Sequence, residues 1–128
     1  MKLTNNFSLS EFECKCGCKM PAFVEENIKE LAENLQVLRN VVGRLDPTNG
    51  YRCKEHNADV GGSINSQHLK GKAADIKSKA FSSSEIATIT DDLMKNESFT
   101  LGGVGIYNTF THVDIRGTRA RWGKTNKK

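Results

Sequence analysis

The stretch from Phe23 to Val42 places the strongest constraint on what this chain can fold into. Val24, Ile28, Leu31, Leu35, Leu38 and Val42 recur at intervals of three and four, and Glu25, Glu26, Lys29, Glu30 and Glu33 fill the positions between. That period predicts an amphipathic helix with a single apolar stripe, which is stable only when the stripe is covered. Acidic residues gather in its first half and Arg39 and Arg44 near its end, as the helix dipole prefers, and Gly43 is a natural stop. The rest of the chain must therefore supply a partner layer, and its short apolar segments point to a sheet.

Around that helix the other elements fall in order. FSLSEFE suits a single helical turn, and the turn formers Pro47, Asn49 and Gly50 close a short strand ending near Tyr51. A further helical turn is expected around Glu55 to Asp59. Gly61 and Gly62 permit a reversal into SINSQH, and AADI after Gly71 reads as a buried strand. Ser82 to Ser84 form an N-cap region for a second helix, with Ile86, Ile89, Leu93 and Met94 on its apolar face. FTLGGVGIYNTFTHVDIRG closes the fold as two short strands turning near Asn108. With 128 residues and no internal repeat or linker, one α+β domain over residues 1–128 is the expectation: a small antiparallel sheet packed against helices.

Charge and hydropathy narrow the class. A charged fraction of 27% and a hydrophobic fraction of 37% suit an ordinary globular chain. No apolar run approaches the roughly 20 residues that span a bilayer. MKLTNNFSLSEFE lacks the basic end and apolar core of a secretory signal, so synthesis in the cytoplasm is expected. The net charge of +4 is modest, but Arg116, Arg119, Arg121, Lys124, Lys127 and Lys128 crowd the end. They read as a solvated basic tail or as a contact for a polyanion. No aromatic interleaving or motif supports a nucleic-acid partner.

Four cysteines stand apart from this pattern. Cys14, Cys16 and Cys18 lie in CKCGC and Cys53 in YRCKEH. Residues two apart on an extended chain point the same way, so the three can converge with Cys53 on a metal. Packed free thiols are the expectation, because CxCxC is not the CxxC knuckle of common structural zinc sites and cytoplasmic synthesis argues against one disulfide to Cys53.

The chemistry-bearing residues lie in two stretches, SQHLKGKAAD and THVDIRG. In a strand His112 and Asp114 project to one side while Val113 and Ile115 enter the core. His68 and Asp75 flank Gly71, and their convergence with that pair is an inference from the donor types. Two imidazoles and a carboxylate are donors that Zn²⁺ accepts, and three protein ligands leave a position open for water, as in catalytic sites. His68, Asp75 and His112 are the candidate ligands, which leaves Asp114 as the candidate proton acceptor in hydrolysis of a peptide bond. By spacing alone the same residues could be turn caps and surface polar groups, because HxxGxAAD is not a general metal motif.

SQHLKGKAADI resembles the SxHxxGxAxD signature of the M15 family of zinc D-Ala-D-Ala peptidases. GGVGIYNTFTHVDIRGTRARW resembles the closing stretch of its phage-type and small bacterial branch, and FSLSEFECKCGC and GYRCKEHNADVGG occur in the order that branch shows. The resemblance spans nearly the whole chain. It implies the hedgehog/DD-peptidase fold, one Zn²⁺, and cleavage of peptidoglycan stem peptides by a monomer at the bacterial cell wall, as a carboxypeptidase or after phage-mediated release as an endolysin. The family's ligands fall on His68, Asp75 and His112, Arg52 falls where an arginine pairs with a substrate carboxylate, and Ser66 falls at the signature serine. His56 is expected to pack its loop. Several members carry a catalytic acid three residues before the last histidine, where this chain has Thr109. The resemblance thus leaves Asp114 either as the base or as the group that orients His112. A module that binds walls or builds a virion without catalysis is the alternative reading.

Overall fold

The computed structural model describes residues 1–123. A 3-10 turn at Leu9–Phe12 is held by the Glu11 carboxylate, which accepts from the Ser8 N–H at 2.9 Å. Helix α1 spans Ala22–Val42 and stops at Gly43, whose φ of 83° is left-handed. Strand β1 (Asp46–Asn49), helix α2 (Lys54–Asp59), a second 3-10 turn (Gln67–Lys70) and strand β2 (Ala73–Lys77) follow. Helix α3 (Ser83–Lys95) starts at the Ser82 cap, and strands β3 (Gly103–Ile106), β4 (Thr111–Asp114) and β5 (Ala120–Gly123) complete the order.

The apolar stripe of α1 is buried as its period requires. Ile28, Leu31, Leu35 and Leu38 are fully enclosed, in one cluster with Ile86 and Ala87 of α3 and with Ala74, Ile76, Val104 and Val113 of the sheet. Each such aliphatic side chain contributes about 1.5–3 kcal/mol when taken from water. Both long helices thus share one core with one face of the sheet, and alternation sends Asp75 and His112 to the other face.

The strands lie in the order β1-β2-β4-β3-β5. The α+β class is as expected, but the sheet is mixed: β1/β2, β2/β4 and β3/β4 are antiparallel, while β3/β5 is parallel. The chain leaves β4, reverses through Gly117 at φ 96°, and returns antiparallel to β4 along the far edge of β3. Pro47, with no N–H to give, sits in β1, an edge strand whose register breaks between Pro47 and Asn49.

Three of the six basic residues read as a solvated tail are held in ion pairs instead. Arg119 and Arg121 are fixed on Asp91 of α3, Arg119 Nη1 at 3.0 Å and Arg121 Nε at 3.1 Å. Arg116 is paired with Asp114. Lys124, Lys127 and Lys128 lie outside the described residues.

Candidate metal centre

The pairing of β2 with β4 builds half of the site. Asp75 stands directly opposite His112, and Ala73 opposite Asp114. His112 and Asp114 therefore share a face, with Val113 turned into the core.

His68 arrives from the 3-10 turn beside β2. Ser66 Oγ accepts from the His68 N–H at 3.2 Å, and Gly71 closes the turn at φ 74°. A Cβ on Gly71 would stand 2.7 Å from Val24 Cγ1 and 2.8 Å from the Val24 carbonyl, so the turn rests directly on α1. Glycine is needed here both for its left-handed backbone and for the close approach.

Hydrogen bonds then set the two rings. His68 Nδ1 lies 2.7 Å from the Gly50 carbonyl, which only accepts, so Nδ1 carries the proton and Nε2 faces Asp75 Oδ1 at 3.3 Å. His112 Nε2 donates to Asp114 Oδ2 at 2.8 Å, and its Nδ1 lies 3.4 Å from the same Asp75 oxygen. His68, Asp75 and His112 are buried, and their donor atoms lie within 4.8 Å of one another. Two neutral imidazole lone pairs aimed at an ionised carboxylate repel unless a cation stands between them. The donor set therefore fits Zn²⁺ by type, convergence and charge.

Electrostatics keep the Asp75 carboxylate ionised and draw positive charge toward it, as a proton on His112 or as a metal ion. Burial alone would raise the Asp75 carboxyl, but the imidazoles of His112 and His68 hold it well below the ordinary carboxylate range. Burial opposes charge on His112, yet Asp114 and Asp75 outweigh it and raise its affinity for a proton.

Asp114 lies behind His112, fully enclosed. Its Oδ1 accepts from the Gly103 N–H at 2.7 Å and from Arg116 Nε at 2.9 Å, and its Oδ2 accepts from Arg116 Nη2 at 2.7 Å. Burial works against ionisation, but His112, Arg116 and the Gly103 N–H hold its carboxyl far below the usual range.

The three candidate ligands line an open cavity of about 580 Å³. Arg52 and Ser66 line it too, with Arg52 Nη2 3.4 Å from Ser66 Oγ. Arg52 Nε is buried without a partner, and burial lowers the proton affinity of the guanidinium despite the nearby Asp75 charge. Asp114 is not among the lining residues. His56 sits on α2 away from the cavity, and Thr109 is exposed in the β3–β4 turn.

Tyr107 and Trp122 form an aromatic wall that the sequence reading missed. Trp122 lies 4.9 Å from the His112 ring between centroids and donates from Nε1 to the Tyr107 hydroxyl at 2.9 Å. Gly105 leaves room for it, since a Cβ there would fall 2.4 Å from Trp122 Nε1. The one tryptophan of the chain was the available signal, hidden because it follows a run of arginines.

Two imidazoles and a carboxylate at the floor of an open cavity are a metallohydrolase arrangement. The family model described as Peptidase M15 matches residues 5–114, and the chain belongs to that family, whose members are metallopeptidases and zinc-dependent in general. The match ends at Asp114, so β5 and Trp122 lie beyond it. No curated protein matches the chain.

Proposed function

We propose that this chain is a zinc-dependent peptidoglycan peptidase that cuts D-Ala-D-Ala or another stem-peptide bond at the bacterial cell wall, as a monomer. The observation that carries the reading is the one cavity lined by the His68, Asp75 and His112 donors and by Arg52, whose buried Nε has no partner. Among the described residues no helix is long and apolar enough to cross a membrane.

His68 Nε2, Asp75 Oδ1 and His112 Nδ1 are the atoms that would hold the zinc. The ion supplies polarisation of the scissile carbonyl and a water acidic enough to attack near neutral pH. Arg52 presents a desolvated, planar cation to a substrate carboxylate, and Ser66 Oγ steadies both the guanidinium and the His68 turn. Tyr107 and Trp122 give the peptide an apolar wall beside His112 and screen it from water. Asp114, of the two roles open to it, takes that of orienting His112: it fixes the Nε2 tautomer and does not face the cavity.

Purified peptidoglycan tests the reading. Release of new amino groups that stops with chelator and returns with zinc is the expected result. Protein that sediments with walls and releases nothing at any zinc concentration would sink it in favour of a binding module.

A further inference from the structure

A second group of soft donors lies away from the cavity. Cys14, Cys16, Cys18 and Cys53 bring their Sγ atoms within 4.8 Å of one another. Cys14 and Cys16 are 3.2 Å apart, Cys16 and Cys53 3.3 Å, and Cys14 and Cys53 3.8 Å. None of these residues lines the cavity, so the peptidase reading gives them no task.

The local backbone is shaped to bring them together. Gly17 takes φ 84°, and its N–H returns to the Cys14 carbonyl at 3.0 Å, folding CKCGC into a tight loop. The Cys53 N–H donates to Cys14 Sγ at 3.4 Å. Nearby the Tyr51 N–H donates to the Phe12 carbonyl at 2.8 Å. Gly50 lies so close that a Cβ would stand 2.6 Å from Phe12 Cα.

We propose that Cys14, Cys16, Cys18 and Cys53 form a second, structural zinc site that fastens the N-terminal segment to the Gly50–Cys53 strip. Four thiolates about 2.3 Å from one ion stand about 3.8 Å apart in a tetrahedron, close to the separations seen here. The group is too compact for an iron–sulfur cluster, whose cysteines are spread around several atoms, so a single ion is the fit. Zinc suits it because peptide hydrolysis asks for no electron and all four positions are filled by protein. A disulfide would join two of the sulfurs and leave two thiols pressed together without a role. On binding, each thiol gives up its proton to solvent, so the ion is taken up with proton release.

The strip that this site fastens matters to the cavity. Gly50 gives the carbonyl that orients His68, and Arg52 is the residue before Cys53. The second zinc is therefore a positioning device, with no contact to substrate.

The test is metal and thiol counting on the full chain. Protein isolated with zinc should hold two ions, and a mercurial titrated against its thiols should free one of them as the four sulfurs react. His68→Ala should keep one zinc and four protected thiols, and Cys16→Ser should keep only the other. Should Cys16→Ser fail to fold, cobalt-loaded His68→Ala decides the matter. It should retain the strong near-ultraviolet charge-transfer band of thiolate–cobalt bonds. One zinc per chain, lost wholly in His68→Ala, would overturn the proposal. So would four thiols that react at once, a cysteine disulfide in the isolated protein, or iron in place of zinc. Because ions and thiols are counted rather than hydrolysis, the outcome is independent of the substrate.

Discussion

The histidine–aspartate centre and the cysteine cluster meet the two ends of one short strip, Gly50–Cys53, and are built in opposite ways. The first gathers two imidazoles and a carboxylate in an open cavity and leaves one side free of protein donors. The second gathers four soft donors, enough to fill a tetrahedron from protein alone. Their supports differ too. Each imidazole of the first is aimed by a second partner, Gly50 for His68 and Asp114 for His112. The cysteines are aimed by the backbone alone, through Gly17 and the Cys53 N–H. An open site depends on exact aim because it must position a reacting molecule, whereas a closed site needs only to be filled.

The sharpest way to break this comparison is to remove a donor from the open centre. His68→Ala and Asp75→Ala should each lower hydrolysis by about 1000-fold or more, the several kcal/mol that metal activation supplies, with the far-ultraviolet spectrum retained. Normal activity in either variant would show that the centre is not the catalyst. Next in size is Gly71→Ala, which forces a left-handed alanine against Val24. Denaturant unfolding should show a loss of about 2–4 kcal/mol from the backbone and overpacking costs together. A neutral result would mean that α1 does not support the His68 turn.

Arg52→Ala should cost about 1.5–3 kcal/mol of transition-state binding on substrates with a free carboxylate beside the cut, read as a loss of about 10- to 150-fold in kcat/KM. Substrates without that carboxylate should lose much less. Asp114→Asn comes next, with about 10- to 100-fold lost in zinc affinity and activity together, the effect of removing a group that aims a ligand. If zinc affinity stays intact while the rate falls and the pH profile loses its acid limb, Asp114 is the base instead.

The smallest effect concerns the strand beside the open centre. Arg121 holds the Asp91 carboxyl at about 2, below its ordinary value of 3.8, with help from Lys95 and Arg119. A carboxyl depressed on folding adds stability above its unfolded value and loses it as pH falls toward the folded one. The contribution should be present at pH 5 and fade between about pH 4 and pH 2, and for an ion pair this accessible it amounts to about 1 kcal/mol or less. Asp91→Asn should flatten the stability curve in that window, and an unchanged slope would mean that Asp91 does not hold β5.

How far the sequence disclosed this arrangement follows from which contacts are local. The period of α1, the alternation of THVD and the buried AADI segment are written within single elements, and the structure places α1, β4 and β2 on them. The aim of His68 and Asp75 was not, because it depends on Asp75 facing His112 across the β2–β4 register and on the Gly50 carbonyl, 18 residues from His68. Strand β5 was hidden for a similar reason. Its arginines read as a tail until Asp91, 28 residues before Arg119, is found to receive them. The cysteines were ambiguous because their meeting spans 37 residues between Cys16 and Cys53.

The most direct measurement is mass spectrometry of defined stem-peptide fragments after digestion by the zinc-loaded chain, by the same chain with chelator, and by His68→Ala. A single hydrolysed peptide bond in the first digest, and intact fragments in the other two, is the result predicted here. Intact fragments in all three, or the same cut in all three, would contradict it.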